Sequence, residues 1–196
     1  MISTIVPQGL IFDCDGTLAD TMPLHWRAWQ VVADRYRLNF PEDRFYALGG
    51  VPSRDILQML SKEQGRALDP VAASKEKEAI YMPLVPQVQE VEVVVKIARE
   101  NFGIIPMAVA SGGIQSHINE VLTHLGIRHL FQAVVTSEDV IRQKPAPDIF
   151  LEAARRLGVA PQFCRAYEDT ELGLQAIRAA GMEAVDVRPL RGMDRD

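Results

Sequence analysis

The second half of the chain alternates short apolar runs with helix-like segments, and each of those segments stops at a glycine. After a first apolar run at 9–12, others stand at 105–110, 133–136, 163–167 and 184–187. Helix-like stripes at 90–101, 115–125, 147–157 and 171–180 separate them, closed by Gly103, Gly126, Gly158 and Gly181. Glycine stops a helix because it takes the left-handed conformation without a steric penalty and lets the chain turn away. Strands and helices in alternation imply right-handed crossovers and therefore a parallel sheet. The runs are almost continuously apolar, as strands covered on both faces must be. The expected fold class is α/β, a Rossmann-like parallel sheet core with helices on both faces. Sheets of this kind receive ligands beyond the carboxyl ends of their strands.

Residues 20–85 break the alternation. Asp20-Thr21 and Pro23 supply a helix start, and helical patterns follow at 24–36, 41–48, 53–64 and 70–81 with no strand among them. The expectation is a small all-helical cap domain over 20–85, inserted after the first strand, with a discontinuous core of 1–19 and 86–196. Pro83, Pro86 and the mixed stretch 85–91 read as a hinge or linker. Trp26 and Trp29 read as packing inside the helical part.

With 196 residues and 47% hydrophobic content, the chain can bury a full core without staples. A net charge of -5 with no basic stripe argues against nucleic acid or an anionic membrane as the main partner, which leaves a small molecule. No apolar stretch approaches the roughly 18 residues of a membrane span. The start Met1-Ile2-Ser3-Thr4 lacks the regions of a signal peptide, so a cytoplasmic location is expected. Cys14 and Cys164 fall in or beside strand candidates and read as buried, reduced thiols.

The residues that carry chemistry stand at strand ends. Asp13-Cys14-Asp15-Gly16-Thr17 follows the first run and puts two carboxylates two residues apart. One acid of such a pair can attack phosphorus while its protonated neighbour gives a proton to the leaving oxygen. The same pair attracts a hard cation, which would screen an anionic nucleophile from an anionic phosphate. A plain Asx turn is the competing explanation. An EF-hand loop is excluded, because the twelfth position from Asp13 is Leu24 rather than Glu. Ser111-Gly112-Gly113 follows the run 105–110 and suits either a phosphate oxygen or a simple helix cap. Lys144 sits in Lys144-Pro145-Ala146-Pro147-Asp148, where prolines would fix its loop, though a surface lysine would look the same. Glu168-Asp169 follows the run 163–167 and could complete a cation site or cap the next helix.

Taken together and in this order, these residues resemble the haloacid dehalogenase superfamily of phosphatases and phosphomutases, in particular its β-phosphoglucomutase-like branch with the short sugar phosphatases. The resemblance implies that Asp13 is the nucleophile and Asp15 the general acid and then base. It implies a phosphate held by Thr17, Ser111, Gly112 and Lys144, and Mg²⁺ held by Asp13, Asp15, Glu168 and Asp169, with Asp15 contributing its backbone carbonyl. It also matches the helical insertion to the family's cap, where His25, Gly50, Arg54 and Lys77 would sense the substrate. The substrate would be a small phosphorylated molecule, a sugar phosphate above all, and the protein a monomer or weak homodimer. The chain departs from the branch at Val88-Gln89-Glu90-Val91, where a Pro-Gly pair is common, and in its short end after 184–187. That shortness resembles the sugar phosphatases more than the longer mutases. Cysteine chemistry of the tyrosine-phosphatase kind does not fit, since the sixth residue after Cys14 is Asp20 and after Cys164 is Thr170 rather than Arg.

Overall fold

A computed structural model describes residues 6–192. Contacts divide it into two units, Met1–Asp20 with Gln89–Asp196, and Thr21–Val88. The first unit is a parallel sheet in the order β3-β2-β1-β4-β5, built from β1 (Gly9–Phe12), β2 (Met107–Ala110), β3 (Ala133–Val135), β4 (Cys164–Glu168) and β5 (Glu183–Asp186). Its helices are α5 (Glu92–Asn101), α6 (Gln115–His124), α7 (Asp148–Leu157), α8 (Glu171–Ala179) and the single turn α9 (Arg188–Arg191). The expected glycines do end these segments, with φ of 77°, 68°, 70° and 74° at Gly103, Gly126, Gly158 and Gly181.

Strand side chains alternate between faces, which sorts the core into two layers. Ile11, Ala108, Ala110, Val135 and Ala166 pack with Ile149, Phe150, Ala153, Ala176 and Ile177 of α7 and α8. Leu10, Phe12, Met107 and Val109 point the other way and are equally buried. There Phe12 stacks on Tyr167 at 4.7 Å and meets Phe131 edge-on at 5.8 Å. Each such side chain contributes about 1.5–3 kcal/mol on full burial. β1 and β2 are thus buried on both faces, and only their carboxyl ends offer polar groups to a ligand.

The second unit is helical: α1 (Met22–Tyr36), α2 (Glu42–Ala47), α3 (Ser53–Gln64) and α4 (Pro70–Tyr81). Trp29, Phe40, Phe45, Leu57 and Leu60 form its centre, and Trp26 packs 5.3 Å from Phe45, so both tryptophans serve packing. The stretch read as a linker is more ordered than that. Met82–Gln87 forms a 3-10 helix, and Val85 and Val88 are buried, because two prolines fix φ without preventing a tight turn. The helix expected from residue 90 starts at Glu92, since Glu90 instead bridges Ala19 in an antiparallel pairing. No helix among the described residues is long and apolar enough to cross a membrane.

Candidate active site

The ends of β1, β2 and β4 bring the charged residues of the sheet unit together. Asp13 leaves β1 with its N–H bonded to the Tyr167 carbonyl at 3.0 Å, which sets its side chain beside the end of β4. The chain then turns tightly. The Cys14 carbonyl accepts from Leu18 and Ala19, each at 2.9 Å, and Gly16 takes φ of 84°. A Cβ at Gly16 would stand 2.2 Å from Asp169 Oδ2, so both the backbone and the space demand glycine there. Thr17, fully buried, donates its hydroxyl to Asp169 Oδ1 at 3.0 Å.

Lys144 is the counter-charge. Its ammonium donates to Asp13 Oδ1 at 2.6 Å and Glu168 Oε2 at 2.8 Å, and lies 5.1 Å from the centre of the Phe150 ring. Burial alone would draw its pKa down, but the two carboxylates more than reverse that and hold it above the usual lysine range. Glu168 is held in turn: its Oε1 accepts from Asp169 N–H at 3.1 Å, Thr170 N–H at 2.9 Å and the Thr170 hydroxyl at 2.8 Å. Thr170 also caps α8 by accepting from Gly173 N–H at 3.1 Å. Glu168 and Asp169 are therefore not the cap of α8, which settles that alternative.

Ser111 is buried at the end of β2 and accepts from Gly113 N–H at 3.0 Å. It does not cap α6, whose N-cap is Ile114. Its hydroxyl is 3.5 Å from Asp15 Oδ2, the outer limit of a hydrogen bond, so a small displacement separates or joins them. Gly112 is open, with nothing within 4 Å of where a Cβ would stand, whereas one at Gly113 would meet Ile118 at 2.7 Å. Of the two glycines, Gly113 is the more closely packed.

Three carboxylates share this buried space with one ammonium. Burial pushes the Asp13 carboxyl well above its usual range, Glu168 adds to the shift and Lys144 opposes it. Asp169 is pushed up to about 7, by burial first and then by Glu168. The oxygen donors gathered here suit a hard divalent ion such as Mg²⁺. Asp13, Glu168 and Asp169 can each offer a carboxylate oxygen within 4.8 Å of the others. Lys144 and Thr17 engage one oxygen each of Asp13 and Asp169, which leaves the second oxygen of each for a cation. Cys14 is buried, and its thiol is pushed well up by burial and then by Asp15 and Asp13, which suppresses its nucleophilic form.

The residues expected to sense the substrate stand in the helical unit. His25 of α1 stacks on Tyr81 at 3.8 Å, and its Nδ1 is 2.7 Å from the Lys77 ammonium, which also pairs with Glu78 at 3.0 Å. Arg54 lies elsewhere, exposed in the first turn of α3 and paired with Asp55 at 3.0 Å. Gly50 takes φ of 85° in the turn before α3. The sequence did not single out Gly113, Thr170 or Gly173. A Cβ on Gly173 would fall 2.0 Å from Glu168 Oε2, and the only local signal is a helix-breaking glycine one turn into an otherwise good helix.

The family model for haloacid dehalogenase-like hydrolases matches residues 7–181. The chain is 44% identical over 183 residues to fructose-1-phosphate phosphatase YqaB of Escherichia coli strain K12, covering 93% of this chain and 97% of that one. It is 32% identical over 197 residues to the β-phosphoglucomutase of Bacillus subtilis strain 168, covering 95% and 87%. A crystal structure of β-phosphoglucomutase from Clostridium difficile superposes with a TM-score of 0.79 at 25% identity, covering 92% of this chain and 84% of that one.

Proposed function

The chain belongs to the haloacid dehalogenase-like hydrolases and is an enzyme, and on that premise we propose that it hydrolyses a small sugar phosphate monoester through an aspartyl phosphate, a mixed anhydride formed on Asp13. The observation that carries this is the convergence of Asp13, Ser111 and Asp169 at three strand ends with Lys144 of the loop before α7, whose ammonium is 2.6 Å from the proposed nucleophile. An Asp13 oxygen attacks phosphorus as the bond from phosphorus to the sugar oxygen breaks, and Asp15 gives its proton to that oxygen. Water then attacks the same phosphorus, Asp15 takes a proton from it, and Asp13 is restored as inorganic phosphate leaves. Lys144 opposes the burial that disfavours an ionised Asp13, and with the Ser111 hydroxyl, Thr17 and the Gly112 backbone it offers donors to the transferring group. Asp13, Glu168, Asp169 and the Asp15 carbonyl would hold Mg²⁺, which neutralises charge between nucleophile and phosphate. His25, Gly50, Arg54 and Lys77 of the helical cap are the proposed source of selectivity.

The 44% identity to a fructose-1-phosphate phosphatase along almost all of that protein favours a substrate of the same kind. A hexose phosphomutase is the second reading, favoured by the 32% identity to a β-phosphoglucomutase. In that case a sugar hydroxyl replaces water in the second step. A panel of sugar phosphates, fructose 1-phosphate among them, should release inorganic phosphate with Mg²⁺, and Asp13→Asn should lower the rate by about 10⁴-fold. Equal release by the two proteins would refute the assignment. Conversion of β-glucose 1-phosphate to glucose 6-phosphate, stimulated by a bisphosphate and without net phosphate release, would replace hydrolase by mutase.

A further inference from the structure

Arg191, in the last described turn of the chain, reaches back to the turn that carries Asp15. One of its terminal nitrogens donates to the Gly16 carbonyl at 3.1 Å, and the other to Asp20 Oδ1 at 2.6 Å. Gly16 directly follows Asp15, and Asp20 is the last residue of the sheet unit before the helical insertion. Between these two points the backbone is closed on itself, with Gly16 N–H donating to the Ala19 carbonyl at 2.8 Å and Asp15 bridged to Ala19. The base of Arg191 is equally fixed. Its N–H donates to the Val187 carbonyl at 3.1 Å, and Val187, fully buried, donates to the carbonyl of Glu168 at 3.0 Å. One side chain thus links the end of β4, where Glu168 and Asp169 stand, to both ends of the turn behind Asp15.

We propose that Arg191 is a positioning residue, which holds the Asp15–Asp20 turn so that Asp15 meets the leaving oxygen in line with its proton. The proposal rests on the proton-transfer role given to Asp15 above. The Arg191–Asp20 pair is partly exposed, with side-chain accessibilities of 32% and 40%, so it adds little to global stability. Its effect is local, where a displacement of about 1 Å in a reacting group can cost up to about 10²-fold in rate. A guanidinium suits the task because its planar fork can serve a carbonyl and a carboxylate together, which a single ammonium does less well.

The leaving group separates positioning from general damage. An alkyl phosphate needs the Asp15 proton, whereas p-nitrophenyl phosphate leaves as a weakly basic phenolate and needs it little. Arg191→Ala should lower kcat/KM for the sugar phosphate about tenfold more than for p-nitrophenyl phosphate, a ratio from which any loss of folded enzyme cancels. Arg191→Lys should recover part of it, and Asp20→Asn should shift the ratio in the same direction as Arg191→Ala. Amide hydrogen exchange at Gly16 and Ala19 should quicken in Arg191→Ala, a readout independent of which reaction the site performs. Equal losses on both substrates, or unchanged exchange, would overturn the proposal. A wild-type protein that releases phosphate from neither ester would instead refute the hydrolase reading, with the exchange measurement still deciding whether Arg191 holds the turn.

Discussion

Each unit buries one lysine, and the two are held by different chemistry. Lys144 in the sheet unit touches two buried carboxylates, Asp13 and Glu168, which lie 131 and 24 residues away in the chain. Lys77 in the helical unit touches the His25 ring, 52 residues away, and the adjacent Glu78, whose side chain is 26% accessible. Both ammonium groups lie over an aromatic ring, at 5.1 Å from Phe150 and 5.3 Å from Tyr81. The ring contacts are alike, so the difference lies in the charges. Around Lys144 two buried carboxylates share one cation. An ammonium donates only, so His25 Nδ1 accepts from Lys77.

Removal of each ammonium should expose that difference most strongly. Lys144→Met leaves Asp13 and Glu168 buried without their partner, and should cost about 3–5 kcal/mol of stability with loss of phosphate release. Lys77→Met keeps an apolar stem against Tyr81 and leaves a ring nitrogen and a part-exposed carboxylate, not two buried carboxylates, without their donor, and should cost less, about 1–3 kcal/mol. Urea unfolding of both variants with a chelator present checks the contrast, because a stray cation would mask the first effect. Equal costs would mean that the two sites are electrostatically equivalent, and the comparison would fail.

A smaller effect is expected at Gly173, which lies one turn into α8 and touches nothing that reacts. Its added Cβ in Gly173→Ala would displace the Glu168 carboxylate, which lies 2.0 Å from that position. Overpacking of this kind costs about 1–3 kcal/mol. The activity loss should be partly offset by more Mg²⁺, since a displaced carboxylate weakens cation binding rather than the attack itself. An alanine variant with wild-type Mg²⁺ dependence would show that the carboxylate moves without consequence.

These sites differ in how far the sequence reveals them. Asp13, Ser111 and Glu168-Asp169 are legible because each stands where an apolar run ends, and a parallel sheet collects strand ends at one edge, whereas Lys144, in the loop beyond β3 and a 3-10 turn, is marked by the prolines that follow it. The four closing glycines are legible because left-handed turns leave few alternatives. Contacts decided by three-dimensional neighbours are not legible in this way. Arg191 meets Gly16 across 175 residues, and no periodicity records that encounter. Gly173 looks like an ordinary weak point in a helix until the Glu168 side chain is seen beside it. The 3-10 helix at Met82–Gln87 was hidden for a local reason, since proline marks both a linker and the first turn of a helix.

The smallest effect belongs to an ion pair at the surface of the sheet unit, and it completes the series from buried to exposed charge. Glu152 of α7 accepts from Arg155 and Arg156, each at 2.7 Å, and those hydrogen bonds hold its pKa at about 2 in place of 4.5. A carboxyl with a lowered folded-state pKa stabilises the fold above its unfolded value, and that contribution disappears as pH falls from about 4.5 toward 2. Glu152→Gln lacks the charge at every pH. The stability difference between wild type and variant should therefore be constant at neutral pH and shrink through that acid window. It should also shrink in about 1 M salt, where the screening length is about 3 Å, while the cost of Lys144→Met should persist there because its partners are buried. A Glu152→Gln difference that ignores both pH and salt would show that the arginines act through packing of their stems against α7 and not through charge.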